Sequence, residues 1–140
     1  MAIKMRALYY SKKPKMKTFA ELITAENQCK AADVIPPAYP CENEKLVIMG
    51  LSLGKELPDN LRQFCDLTNK QRAQNVALYV DGSKETAALV IERLRAAGTN
   101  VIDDVFYCDG GLPIAFLAKV SDKEKTDILA WSNKIVASLS

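Results

Sequence analysis

The residues best equipped for chemistry sit together in one connection, Ser11-Lys12-Lys13-Pro14-Lys15-Met16-Lys17-Thr18. An apolar strand, Met5 to Tyr10, runs into it, and a helical pattern of Phe19, Ala20, Leu22 and Ile23 follows. Such a turn is where an α/β protein holds a phosphate, because the helix N-terminus offers unpaired N–H groups and a partial positive charge. This turn has no glycine. Pro14 removes a donor and fixes φ, and lysines replace the small residues that let a phosphate reach the backbone. Lys12, Lys13, Lys15 and Lys17 could instead hold a phosphorylated ligand, an acidic partner or RNA by point-charge contacts; the plainer reading is a solvated surface turn.

Asp81 lies at the carboxyl end of a central apolar run, the edge where open α/β sheets place ligands. No partner for it is apparent in the sequence, so Asp81-Gly82 reads as a turn-stabilising pair. Ser11, Ser52 and Ser83 each follow a strand and are expected to cluster at the same edge. Cys29, Cys41, Cys65 and Cys108 are far apart, with no C-x-x-C pair, which points to free thiols in a reducing compartment rather than a redox motif or zinc ribbon. Histidine is absent from the chain. Ser-His-Asp and Cys-His catalysis, histidine phosphorelay and the commonest metal sites are thereby excluded.

The elements that must position these residues alternate in type. Strands are predicted over Met5 to Tyr10, Ala32 to Ile35, Lys45 to Gly50, Asn75 to Val80 and Val101 to Tyr107. Helices are predicted over Lys17 to Asn27, Asp59 to Asn69, Ser83 to Ala97 and Asp122 to Ser138. The third helix is the clearest, with Ala87, Val90, Ile91 and Leu94 at helical spacing, Ser83 as N-cap and Gly98 as C-terminal stop. The central runs Leu46 to Met49 and Val76 to Val80 are continuously apolar, as strands covered on both faces must be. Tyr9 and Tyr10 are expected to pack one to each face, and Trp131 to pack with Ile128, Ile135 and Leu139. Pro36-Pro37-Ala38-Tyr39-Pro40 cannot be helix and reads as an extended connection.

At 140 residues and 49% hydrophobic, the chain fits one α/β domain spanning 1–140, large enough to bury a core. A net charge of +2, from 19 basic and 17 acidic residues, is too balanced for a nucleic-acid-coating protein. The opening residues lack the apolar run of a signal peptide or membrane span, so the expected location is cytoplasmic, with no membrane partner.

Several of these stretches resemble the flavodoxins. The family's first signature is an apolar strand with an aromatic, then a hydroxyl residue, a small residue, a Thr and a closing Ala; Tyr9, Ser11 and Ala20 match it, while Pro14 and Met16 replace the small residue and the Thr. Leu46-Val47-Ile48-Met49-Gly50 resembles the third strand, and Leu57-Pro58 with Leu61 and Phe64 resembles the helix start after it. Between them the family places an aromatic that stacks on the flavin ring; this chain reads Gly50-Leu51-Ser52-Leu53-Gly54, leaving Leu51 and Leu53 to pack on a flat ring. Val80-Asp81-Gly82-Ser83 resembles the second ring-contacting loop, and Phe106-Tyr107-Cys108-Asp109-Gly110 is similar to the Phe-x-Cys-x-Gly that ends the fifth strand. An irregular loop is expected over Gly111 to Val120.

The resemblance implies a three-layer doubly wound sandwich with a five-stranded parallel sheet in the order 2-1-3-4-5. It implies a cofactor site for FMN at Ser11, Lys12, Lys13, Lys15, Thr18, Gly50, Leu51, Ser52, Leu53, Asp81, Gly82 and Ser83. The same strand order occurs in receiver domains, which need acids where this chain has Ser11, Lys12 and Gly50, and in phosphocarriers, which need a cysteine at position 11. Three readings stand. The first is a degenerate flavin site on a non-catalytic binding or interaction module, with a regulatory or redox protein as partner. The second is an FMN-binding electron-transfer protein. The third is a binder of another phosphorylated ligand through the lysines.

Overall fold

The computed structural model describes residues 3–114 and 119–140. The first strand, β1 (Met5–Tyr10), leads into helix α1 (Pro14–Glu26) after a connection of only three residues. α1 begins three residues earlier than the periodicity predicts, because Pro14 takes the first helical position, where its missing N–H is no loss. The earlier start also brings Met16 into the buried stripe with Phe19, Ala20 and Ile23. The edge strand β2 (Asp33–Val34) is short. The proline-rich stretch after it stays non-helical, held by Ala38 N–H to Asp33 Oδ2 at 3.2 Å and Arg6 Nη1 to the Tyr39 carbonyl at 2.8 Å.

β3 (Leu46–Leu53) and β4 (Asn75–Gly82) form the centre of the sheet, separated by helix α2 (Asp59–Leu67). Helix α3 (Lys84–Ala97) follows, with Ser83 Oγ accepting from Thr86 N–H and Gly98 closing the end at φ +112°. The strands run parallel in the order β2-β1-β3-β4. Two short pieces share the place beyond β4: β5 (Asn100–Val101) pairs with Asn75 and Val76, and β6 (Phe106–Tyr107) pairs with Tyr79 and Val80. The flavodoxin-type order expected from the sequence is therefore present, with a divided fifth strand.

The division has a cause. Residues 102–105 lie opposite only 77–78 of β4, so the chain must bulge there. Asp103 and Asp104 are carboxylates that a continuous strand would carry into the packed layers. The bulge sends them to solvent instead, where Asp103 meets Arg95 at 2.8 Å and Asp104 lies 3.8 Å from Lys134, while the Asp104 carbonyl accepts from Trp131 Nε1–H at 2.8 Å.

Helix α4 (Asp122–Leu139) closes the fold with a capping box between Ser121 and Glu124. Strand residues alternate between two packed layers. Val47, Met49, Leu51, Leu53, Val76, Leu78 and Val80 pack with α2 and α3, whereas Ile48, Ala77 and Tyr79 pack with α1 and α4. Tyr9 joins the α1/α4 layer and Tyr10 the other, one to each face as expected. No helix among the described residues is long and apolar enough to cross a membrane.

Candidate functional site

Strand register brings the polar residues at the carboxyl edge into one row. Tyr10 pairs with Leu51, Leu51 with Val80, and Ser52 with Asp81, so Ser11, Ser52 and Asp81 are neighbours across three strands. Their side chains share the face of α1, two residues beyond Tyr9, Gly50 and Tyr79. Ser11 Oγ and Ser52 Oγ lie 2.7 Å apart, and Ser52 Oγ donates to Asp81 Oδ2 at 3.2 Å. Lys13, at the N-cap of α1, brings its Nζ to 2.6 Å from the same carboxylate oxygen, across 68 residues of sequence. Ser52 has one hydroxyl hydrogen and gives it to the carboxylate, so Ser11 is the donor to Ser52, while Ser11 Oγ accepts from the Lys13 N–H at 2.9 Å.

A fifth member closes this cluster. Gly110 packs against Asp81 so closely that a methyl group on it would overlap both the Asp81 carboxylate and the Lys13 stem. Glycine there is what allows the segment after β6 to come so close. Burial pushes the Asp81 carboxyl upward, but hydrogen bonds from Lys13, Gly110 N–H and Ser52, with the lysine charge, more than offset it, and its pKa falls below the ordinary value. A carboxylate held ionised by so many donors is a poor proton acceptor, so the Ser11-Ser52-Asp81 row holds a charge in place rather than activating a serine. Lys15 is committed in the same way. It pairs with Glu124 at the start of α4, where burial raises the Glu124 carboxyl and hydrogen bonds from Lys15 and Ser121 bring it below its usual range.

These contacts change the reading of the lysine turn. Lys13 and Lys15 are partly buried and paired with acids, not a solvated fringe; Lys12 and Lys17 are exposed and make no ion pair among the described residues. The connection proper is Ser11 to Lys13, since Lys15 and Thr18 are helical and Thr18 Oγ1 donates back to the Pro14 carbonyl at 3.1 Å. Met16 is fully buried, because the helix turns that position into the core.

The third-strand loop is also corrected. β3 runs on to Leu53, so Gly50, Leu51 and Leu53 are strand residues buried in the core and do not face a ligand ring. Gly50 serves packing: a methyl group there would collide with the ring of Tyr79, whose hydroxyl donates to the Met16 carbonyl at 2.9 Å. Gly82 adopts φ +112°, where a side chain would strike the Leu53 carbonyl, and Ser83 is the α3 cap. Ser11 and Ser52 thus meet as expected, while Ser83 is engaged elsewhere. Asp81, expected to stabilise a turn, is the acceptor around which Lys13, Ser52 and Gly110 converge. Counting register from the strand starts would have aligned Ser11, Ser52 and Asp81; nothing in the sequence marks Lys13 or Gly110 as their partners.

Beside this cluster a cleft of about 620 Å³ opens at the switch point where the sheet order reverses, walled by Tyr9, Tyr10, Val34, Ile35 and Pro113. Asn60 at its rim accepts from the Tyr10 hydroxyl at 2.8 Å, and Ser11, Lys12 and Ser52 supply further polar groups. Cys108 lies outside it, its thiol pushed up to about 12, first by burial and then by the Asp81 charge, which removes the thiolate a redox role would need. Among the described residues no group of three acidic or sulfur ligands is placed to hold a metal ion. The loop expected over Gly111 to Val120 includes residues 115–118, which lie outside the described residues.

Sheet order, helix placement and the switch-point cleft define a flavodoxin-like α/β fold. The chain is similar in structure to a flavoprotein from Lactobacillus acidophilus NCFM solved in complex with FMN, with a TM-score of 0.52, 20% sequence identity, and coverage of 76% of this chain and 93% of that one. No family model matches the chain, and no curated protein sequence does.

Proposed function

We propose that the protein is a binding module built on the flavodoxin-like fold, without redox chemistry of its own, whose anion position is closed by its own side chains. One observation carries this reading: the Asp81 carboxylate sits 2.6 Å from Lys13 Nζ at the N-terminus of α1. A phosphate arriving there must displace Asp81 or endure its negative charge. Backbone donors are short as well, since Pro14 has no N–H, Lys13 N–H is taken by Ser11 Oγ and Met16 N–H by the Lys13 carbonyl at 3.1 Å. A lost hydrogen bond to a charged group costs about 1.5–3 kcal/mol. Two such losses weaken binding by roughly two to four orders of magnitude. On this reading the partner is a regulatory protein and not an electron-transfer partner.

A second reading, an FMN-binding electron-transfer protein, draws on the FMN held by the similar flavoprotein and on the tyrosine-walled cleft. Bound FMN would supply one- and two-electron chemistry, and Tyr9, Tyr10 and Ser11 of the cleft would be among the residues to hold it. Flavin absorbance of the purified protein, followed by titration of FMN fluorescence, separates the two. A colourless protein that leaves micromolar FMN unquenched is expected. A yellow protein, or tight saturable quenching, overturns the closed-site reading.

A further inference from the structure

We infer that Asp81 is a tethered ligand: its carboxylate fills an oxyanion site built by Lys13 Nζ and Ser52 Oγ against the backbone of Gly110, and this site takes a free carboxylate or phosphate once Asp81 is gone. The inference rests on the closed-site reading and names what closes the site. Two side-chain donors from separate segments converge on one carboxylate oxygen, a lysine ahead of α1 and a hydroxyl near the end of β3, and Gly110 after β6 comes so close that a methyl group on it would overlap the carboxylate. Convergence of that kind is how proteins hold external oxyanions, with a charge-assisted contact, a neutral donor and a close backbone approach made possible by glycine.

The groups around the carboxylate form a connected set of donors. Ser11 Oγ accepts from the Lys13 N–H and lies 2.7 Å from Ser52 Oγ, which leaves the Ser52 hydrogen to point at the carboxylate. Removing the carboxylate leaves Lys13 and Ser52 as donors without an acceptor in a part-buried place beside Gly110, the condition under which a small free anion is stabilised. The cleft of about 620 Å³ adjoins the site through Ser11, Lys13 and Ser52, so the anion can belong to a larger apolar molecule lying against Tyr9 and Tyr10. In the native chain that molecule competes with a carboxylate already in place. Its class is an apolar body bearing one carboxylate or phosphate, and Asp81 sets the concentration at which it enters.

The test uses the full chain with acetate, formate and inorganic phosphate as probes, at constant ionic strength against chloride. Thermal unfolding is followed with rising probe, together with the amide resonance of Gly110. Asp81→Ala should show a saturable rise in Tm and a titrating Gly110 shift with at least one probe, at an apparent affinity about tenfold or more above wild type, as expected when a tethered competitor is removed. The double variant Asp81→Ala/Lys13→Ala should lose the response. Asp81→Ser is the second variant, used if Asp81→Ala does not fold. Absence of a saturable response in the single variant, or an equal response in wild type or in the double variant, overturns the inference. The closed-site reading fails separately, on tight FMN binding by wild type.

Discussion

At the scale of single residues the chemistry is decided by which charges find partners. Lys13 and Lys17 are alike in the sequence, but one holds the Asp81 carboxylate and the other faces water. Lys13→Ala is therefore expected to destabilise the fold by about 1–3 kcal/mol, the range for a lost hydrogen bond to a charged group. Lys17→Ala should stay within about ±0.5 kcal/mol. Urea unfolding midpoints of the two variants check the contrast. The same pair fixes the acid response. Asp81 and Glu124 both have folded pKa values below their ordinary ones, so the unfolded chain binds more protons as pH falls. Their stabilisation is present in full above about pH 5 and is lost progressively as pH drops through the lowered folded values. Asp81→Asn should flatten part of that acid limb, read as a smaller fall in Tm between about pH 5 and pH 2. An acid limb identical to that of wild type would remove Asp81 from the account.

At the scale of elements, termini do more than end helices. Ser121 caps α4 and, through the reciprocal capping box, orients Glu124, which pairs with Lys15 of α1. Ser121→Ala should cost about 0.5–2 kcal/mol, the range for loss of a helix N-cap. Ser138→Ala, at an exposed position late in the same helix, serves as a control expected within about ±0.5 kcal/mol. Differential scanning calorimetry of the pair measures both. Element type was legible in the sequence almost throughout, because helical spacing on α3 and continuous apolar runs on β3 and β4 leave little choice. Element ends were not. Leu51-Ser52-Leu53 reads as a loop by resemblance, but Ser52 and Leu53 find partners in Asp81 and Gly82, and pairing across the sheet extends the strand. The Asp103-Asp104 bulge was equally hidden, since a sequence does not show that four residues must face two.

At the scale of the whole molecule, stability resides in two apolar layers on either side of one sheet. Leu78 is fully buried between β4 and the α2/α3 layer, whereas Leu67 at the end of α2 is 72% exposed. Leu78→Ala should cost about 2–5 kcal/mol through lost transfer energy and a cavity. Leu67→Ala should change stability by no more than about 0.5 kcal/mol. Guanidinium unfolding of the two variants distinguishes a core set by the sheet from one set by hydrophobicity alone.

Apolar periodicity and the absence of histidine are properties of the chain itself. They determined by themselves the alternating strands and helices, the parallel buried sheet and the exclusion of histidine chemistry. The row Ser11, Ser52 and Asp81 was within reach of the sequence too, because period-two alternation and register follow from strand starts. The commitment of Lys13 to Asp81 and of Lys15 to Glu124, and the close approach of Gly110 to the Asp81 carboxylate, were decided only by tertiary structure. Those contacts join residues from separate elements, and their strength depends on distance and burial, which no local pattern in a sequence encodes.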